Sequence, residues 1–417
     1  MDFVDLSYLA GVTLAGACAR AVARGLPANW QLRLGAALPE QPPGWIWIQA
    51  VSVGELMLAE GMLGRLRQAG YRVHVTTGTA AGLELLRQRL PGWDQGTGRI
   101  SGGAFPVDDP AGLAPFLRRP PGAFISLETE IWPNLLRTLA GRGIPACIVN
   151  GRLTERSLGR GRAWLARAAG RLTLVAARDE ASARTFALLG APRVALGGNL
   201  KADLPAPRPL HPGWAPLRQA WAGSPILVAG NTVDTEEALV LEAWRQARKV
   251  HGDLRLVLAP RQPRRFQTVA AFLEAEGVRF RRGSEPWPDG PGAWADVDVL
   301  LLDTLGELAA AYGEATLALV GGGWAWRGGH NPLEPARWGV PTLLGPGFEN
   351  FQDLVAPLRE AGRVRVVPEP ALATEVLAAL TAGPLRPAAA GVALPESLSG
   401  ALEKTWELIR IIIPGPS

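Results

Sequence analysis

The sequence predicts an α/β protein of two doubly wound, Rossmann-like domains behind an apolar N-terminal helix. Three observations predict it. Short β-rich runs alternate with helical ones along most of the chain, the rhythm of a parallel sheet covered by helices on both faces. A proline-dense segment divides that rhythm into two series. The length of 417 residues suggests two or three domains at a soft ~100–200 residues each.

The opening apolar run, residues 6–19, is shorter than the ~20 residues a spanning helix needs and is interrupted by Ser7 and Thr13. Asp2 and Asp5 stand where a signal peptide carries basic residues, although residues 15–18 (Ala-Gly-Ala-Cys) faintly resemble a lipoprotein cleavage site. Arg20, Arg24 and Arg33 follow the run. It therefore reads either as a helix lying in the headgroup region over anionic lipid or as one docked on its own domain. Residues 1–24 are assigned to it as a membrane-associating helix.

Strands are then expected at residues 45–51, 72–77, 123–127, 146–150, 172–176 and 194–196. Helices are expected at 55–70, 80–89, 134–142, 157–170 and 180–189. These make a first domain, residues 25–205. Residues 204–213 (Leu-Pro-Ala-Pro-Arg-Pro-Leu-His-Pro-Gly) carry four prolines, which stiffen the chain and forbid ladder bonding, and mark the boundary. A second series places strands at 226–229, 255–259, 299–303, 317–321 and 342–344. Its helices fall at 235–250, 264–276, 305–312 and 332–337, giving a domain over residues 206–417. In open α/β sheets ligands sit beyond the carboxyl ends of the strands, so the two domains are expected to face a central cleft suited to transfer between two large substrates.

Composition narrows the chemistry. The 50 glycines and 36 prolines make up about a fifth of the chain, but without the period of collagen or the apolar poverty of disorder. Cys18 and Cys147 are the only cysteines, which excludes a disulfide framework or zinc ribbon and fits a reducing compartment. The histidines, His74, His211, His251 and His330, are scattered, so metal-independent chemistry is expected. The net charge of +5 is modest and mostly arginine. It favours phosphate groups or an anionic surface, and the absence of interleaved aromatic and basic runs argues against nucleic acid.

Several strand ends carry candidate chemistry. Residues 50–55 (Ala-Val-Ser-Val-Gly-Glu) run from a strand into a helix that Glu55 opens, where a carboxylate also simply complements the helix dipole. Residues 127–134 (Leu-Glu-Thr-Glu-Ile-Trp-Pro-Asn) set Glu128 and Glu130 two apart at a strand end, and an ordinary helix start at Pro133 does not explain that pair. Residues 197–203 (Gly-Gly-Asn-Leu-Lys-Ala-Asp) offer Lys201 beside a developing anion, or as plain surface. In the second series, residues 320–336 (Val-Gly-Gly-Gly-Trp-Ala-Trp-Arg-Gly-Gly-His-Asn-Pro-Leu-Glu-Pro-Ala) place glycines where backbone N–H groups approach a ligand. A helix start follows at Asn331-Pro332, and Glu334 lies just inside it, placed to take ribose hydroxyls. Trp324 and Trp326 fit the core equally well. Arg261, after Pro260, suits a base or phosphate, and Asp303-Thr304 ahead of Gly306, Glu307 and Leu308 offers another N-cap with free N–H groups behind it.

In this order and spacing the residues resemble the 3-deoxy-D-manno-octulosonic acid (Kdo) transferases, GT-B glycosyltransferases of lipid A assembly. The resemblance is carried by residues 50–55, 128–134, 150–153 with Ser157, 199–203, 260–261, 303–308, 328–336 and 345–353 (Gly-Pro-Gly-Phe-Glu-Asn-Phe-Gln-Asp). It implies inverting transfer of Kdo from CMP-Kdo to a lipid A precursor, with no cofactor and no metal. Glu55 would be the general base, and Glu128 and Lys201 would stabilise the transition state. Pro260, Arg261, Gly306, Glu307, Leu308, Asn331, Pro332, Leu333 and Glu334 match the CMP-contacting loops. The acceptor would arrive from the cytoplasmic face of the inner membrane, where the protein would sit peripherally or by a single N-terminal anchor. Gln49, Val233 and Gln262 stand where the family usually carries histidine. A transferase or epimerase of another nucleotide sugar, or a catalytically silent glycolipid-binding homologue, are the alternative readings.

Overall fold

The computed structural model describes residues 3–34, 36, 38–153, 162–203, 210–325, 328–382 and 394–416. Its first sheet has seven parallel strands: β1 (Ile46–Gln49), β2 (Val73–Thr77), β3 (Ile100–Ala104), β4 (Ala123–Leu127), β5 (Ala146–Gly151), β6 (Leu174–Ala177) and β7 (Val194–Leu196). They lie in the order β3-β2-β1-β4-β5-β6-β7. Inner strands such as β1 (Ile-Trp-Ile-Gln) and β4 (Ala-Phe-Ile-Ser-Leu) are buried along their whole length. They read as apolar runs because helices cover both faces. Successive side chains point to opposite faces. Ile46 and Ile48 join Leu56, Met62 and Leu63 of the Val53–Gln68 helix on one side. Trp45 and Trp47 join Phe105, Phe116 and Phe124 on the other, with Trp47 stacked on Phe116 at 4.7 Å.

The second sheet is also seven-stranded and parallel. Its strands are β8 (Ile226–Thr232), β9 (Arg255–Pro260), β10 (Phe280–Arg282), β11 (Val299–Leu301), β12 (Leu317–Val320), β13 (Thr342–Leu344) and β14 (Val364–Val366), in the order β10-β11-β9-β8-β12-β13-β14. Leu256, Leu258, Leu317 and Leu319 pack against Val240, Trp244 and Val376 from the covering helices.

The compact units are Met1–Pro205 with Ser399–Ser417, and Ala206–Leu398. This corrects the expected second domain at its far end. The Ala401–Arg410 helix returns to the first unit, where Ala401, Ile409 and Ile413 enter the core. Asp203 accepts from the backbone N–H groups of Gly400 (3.1 Å) and Leu402 (2.6 Å) and so fixes the start of that helix.

The N-terminal helix runs Phe3–Ala21, and among the described residues no helix is long and apolar enough to cross a membrane. One side of it docks on its own unit. Arg20 forms a two-pronged pair with Asp109 (2.7 and 2.6 Å), Tyr8 donates to Asp108 (3.2 Å), and Asp5 pairs with Arg171. Gly16 permits the approach, since a Cβ there would lie 2.1 Å from Asp109 Oδ2. The other side leaves Leu6 and Leu14 exposed, and Val22 is exposed just past the helix end.

Candidate active site

Glu55 lies in the first turn of the Val53–Gln68 helix directly after β1, and Glu128 directly follows β4. β1 and β4 are neighbours at the point where the strand order reverses, and such a switch point is where an open α/β sheet leaves a crevice beyond its strand ends. The local sequence fixes Glu55 by a reciprocal cap: Ser52 Oγ accepts from Glu55 N (3.3 Å), and the Glu55 carboxylate accepts from Val51 N (2.6 Å) and Ser52 Oγ (3.3 Å). Burial pushes the Glu55 carboxyl up to about 7, and the charges of Glu130 and Glu128 push the same way against the bonds from Val51 and Ser52. A group poised there is a proton acceptor matched to neutral pH.

Glu128 adopts a left-handed backbone conformation (φ 55°), which a non-glycine residue takes at some steric cost. Its Oε1 lies 3.8 Å from Lys201 Nζ, so the expected pair is brought together, each side chain about one-fifth exposed. Asn150 secures the Lys201 turn from beneath: its Oδ1 accepts from Leu200 N at 2.9 Å. Ser157 lies outside the described residues.

Glu130 belongs to this cluster, although the resemblance assigned it no role. Burial raises its carboxyl to about 7, Arg33 draws it down and Glu128 pushes it up. Arg33 reaches the cluster from the Ala28–Leu34 helix, its guanidinium lying 5.4 Å from the ring centroids of both Trp30 and Trp132. The spacing of Glu130 two residues after Glu128 was the available signal. Nothing in the sequence near Arg33 connects it to residue 130.

In the second unit the expected donor residues divide into two groups. Pro260 ends β9, and Arg261, held by its N–H to Thr232 O (3.0 Å), acts electrostatically on His330 and Glu334. The fold thus joins Pro260-Arg261 to Asn331, Pro332, Leu333 and Glu334. Burial raises Glu334 to about 7, with Arg261 and Arg337 opposing, while burial and Arg261 lower His330 to about 4, leaving its ring neutral at pH 7. Asn331 Oδ1 accepts from Leu333 N (3.1 Å) at the start of the short Leu333–Ala336 helix.

Gly306, at φ 93°, turns the chain ahead of the Leu308–Ala311 helix. Glu307 is engaged within its own unit, by Thr304 Oγ1 and by His211 N (3.4 Å). Asp303 is not a helix cap: its carboxylate accepts from Ser284 N, Ser284 Oγ and Arg282 Nε, each at 2.7 Å. The glycine-rich run after β12 is also corrected. The N–H groups of Gly322, Trp324 and Ala325, expected to approach a ligand, are bonded to the buried carboxylate of Glu236. Trp324 anchors in the unit by donating from Nε1 to Val367 O (2.8 Å), and Trp326 lies outside the described residues.

Comparison with known proteins identifies relatives of this chain. The family described as "3-Deoxy-D-manno-octulosonic-acid transferase (kdotransferase)" matches residues 28–204. The chain is 34% identical over 389 residues to the 3-deoxy-D-manno-octulosonic acid transferase of Bordetella pertussis, covering 87% of each protein. It is 34% identical over 344 residues to that of Haemophilus influenzae, covering 80% of this chain and 78% of the relative. Among solved structures, a putative UDP-N-acetylglucosamine 2-epimerase from Listeria monocytogenes shares the fold alone, with a TM-score of 0.57 at 14% identity, covering 88% of this chain and 96% of that one. Two Rossmann-like units of the GT-B type, with Glu55, Glu128 and Lys201 gathered at one sheet's switch point, meet a 34% match across most of the chain, and the protein belongs to the 3-deoxy-D-manno-octulosonic acid transferase family of glycosyltransferases.

Proposed function

We propose that the protein transfers Kdo from CMP-Kdo to a hydroxyl of a lipid A precursor with inversion at the anomeric carbon. The observation that carries this reading is Glu55: a carboxylate held at a helix start, raised to about 7, beside the Glu128–Lys201 pair. Glu55 takes the acceptor hydroxyl proton as the oxygen attacks the anomeric carbon of Kdo. The bond from that carbon to the CMP phosphate oxygen breaks, and CMP departs with the bonding electrons. Lys201 offsets the growing negative charge, and Glu128 both orients Lys201 and faces the oxocarbenium character of the sugar. Arg261 and Glu334 in the second unit supply a cation for phosphate and an acceptor for ribose hydroxyls.

The test is to incubate the protein with CMP-Kdo and a lipid A precursor and weigh the products. Glu55→Ala is expected to lower transfer by about 10²-fold or more while leaving CMP affinity unchanged. Transfer at the wild-type rate in that variant overturns the base assignment, and calorimetric binding of a UDP-sugar with no response to CMP overturns the donor.

The same reading sets the protein on the cytoplasmic face of the inner membrane. Leu6, Leu14, Val22 and Trp30 are exposed on the N-terminal segment, with Arg24 among them, the composition of an interfacial surface. Flotation with vesicles containing anionic lipid is expected to recover the protein, and Leu14→Glu with Val22→Glu to release it. Equal recovery of the variant would remove the helix from that role.

A further inference from the structure

Glu236 opens the Glu236–Arg248 helix after β8 and is 1% exposed. Its Oε1 accepts from the N–H groups of Gly322 (3.0 Å), Trp324 (2.9 Å) and Ala325 (3.2 Å), and its Oε2 from Gly322 (2.7 Å) and Val233 (3.1 Å). A carboxylate withdrawn from water is costly unless its lone pairs are filled, and here backbone donors from two chain segments fill them. β8 and β12 are neighbours at the reversal of strand order in the second sheet. The helix after β8 therefore supplies an internal anion to the loop after β12, at the place where such sheets usually receive a ligand.

The loop cannot move without disturbing its neighbours. A Cβ on Gly321 would lie 2.7 Å from Glu236 Oε2 and 2.6 Å from Asn231 O, and one on Gly345 would lie 2.3 Å from the Gly323 carbonyl carbon. Gly329 N donates to Gly322 O (3.1 Å), Gly347 N to Gly323 O (3.0 Å), and Gly328 N to Glu349 Oε2 (2.9 Å). The His330 ring lies directly against Gly322, where a Cβ would come 2.6 Å from its Cδ2. The position of Gly322 thus sets the position of His330 and of Asn331 beside it.

We propose that Glu236 is a positioning residue for the donor site. Its carboxylate, not a ligand phosphate, satisfies the glycine loop, and the loop so held presents residues 330–334 in their binding geometry before the donor arrives. This rests on the donor-site reading of the second unit given above. Preorganisation of this kind appears in affinity and in KM more than in turnover.

Two variants test it, Glu236→Gln, which keeps the volume but turns an NH2 toward backbone donors, and Glu236→Ala, which vacates the anion position. Calorimetry is expected to find CMP binding weakened about tenfold or more in both. The KM for CMP-Kdo should rise while kcat at saturation stays near wild type. Formate, but not chloride at equal ionic strength, should restore CMP binding to Glu236→Ala by occupying the vacated position. Hydrogen exchange at residues 321–325 without ligand should accelerate in Glu236→Gln, a readout available even where Glu236→Ala fails to fold. CMP affinity equal to wild type in the folded variants, or unchanged exchange, overturns the proposal. Wild-type protein that does not bind CMP overturns the donor reading instead, and exchange alone then judges the clamp.

Discussion

Glu55 and Glu130 are two buried carboxyls raised to about 7, and the charge on Glu130 contributes to the rise at Glu55. Where groups interact in this way the observed titration belongs to the cluster. On the proposed base role, in which Glu55 acts as its anion, kcat/KM should climb with pH through a limb near 7. Glu130→Gln removes one repelling charge, so the limb should move to lower pH. A pH–rate profile checks this, and an unmoved limb would separate Glu130 from the base. The same burial makes ionisation a stability cost that grows as pH rises from the unfolded value of 4.5 toward 7. The place of Glu55 at a helix start was legible in residues 50–55. Its burial was not, because residues 128–130 approach from elsewhere in the chain. The three positions where the resemblance leads one to expect histidine have structural occupations here. Gln49 is fully buried and accepts from Thr76 Oγ1 (2.5 Å), Val233 is buried with its N–H on Glu236, and Gln262 accepts from Arg264 Nε (2.8 Å).

At the scale of elements, the inner strands announced themselves as apolar runs, whereas β3 did not. Its sequence, Ile-Ser-Gly-Gly-Ala, has the glycines that ordinarily weaken a strand. A Cβ on Gly102 would lie 2.9 Å from Leu86 Cδ2, so it is the packing of the Ala80–Asp94 helix that calls for glycine there. The Pro110–Arg118 helix was hidden by its internal Pro115. Neighbouring aspartates then tie elements together. Asp109 caps the Pro110–Arg118 helix through Gly112 N (2.8 Å) while holding Arg20, and Asp108 accepts from Asn134 N (3.0 Å) and Leu135 N (2.8 Å) at the start of the Pro133–Gly141 helix. Asp109→Ala loses a cap and a two-pronged pair together and should cost about 2 kcal/mol in urea unfolding. Hydrogen exchange should rise across residues 3–21 in the same variant, and protection equal to wild type would show that the N-terminal helix is held by other contacts.

Across the whole molecule, residues 204–209 of the proline-dense segment lie outside the described residues, while the two alternating series were legible because periodicity is a local property. The return of residues 399–417 to the first unit was not, since no local signal says which of two sheets an amphipathic helix will cover. Ile409 and Ile413 are buried there at 0% and 6% exposure, each contributing on the order of 1.5–3 kcal/mol. A chain ending at residue 398 should therefore lose cooperative unfolding of the first unit at lower temperature and keep that of the second, as calorimetry would register. A single unshifted transition would contradict this. During synthesis, domains generally fold in the order they emerge from the ribosome. Here the last residues that the earlier-made domain needs, 399–417, are translated only after the whole of the later one. The first domain therefore cannot bury Ile409 and Ile413 until the second has been synthesised in full.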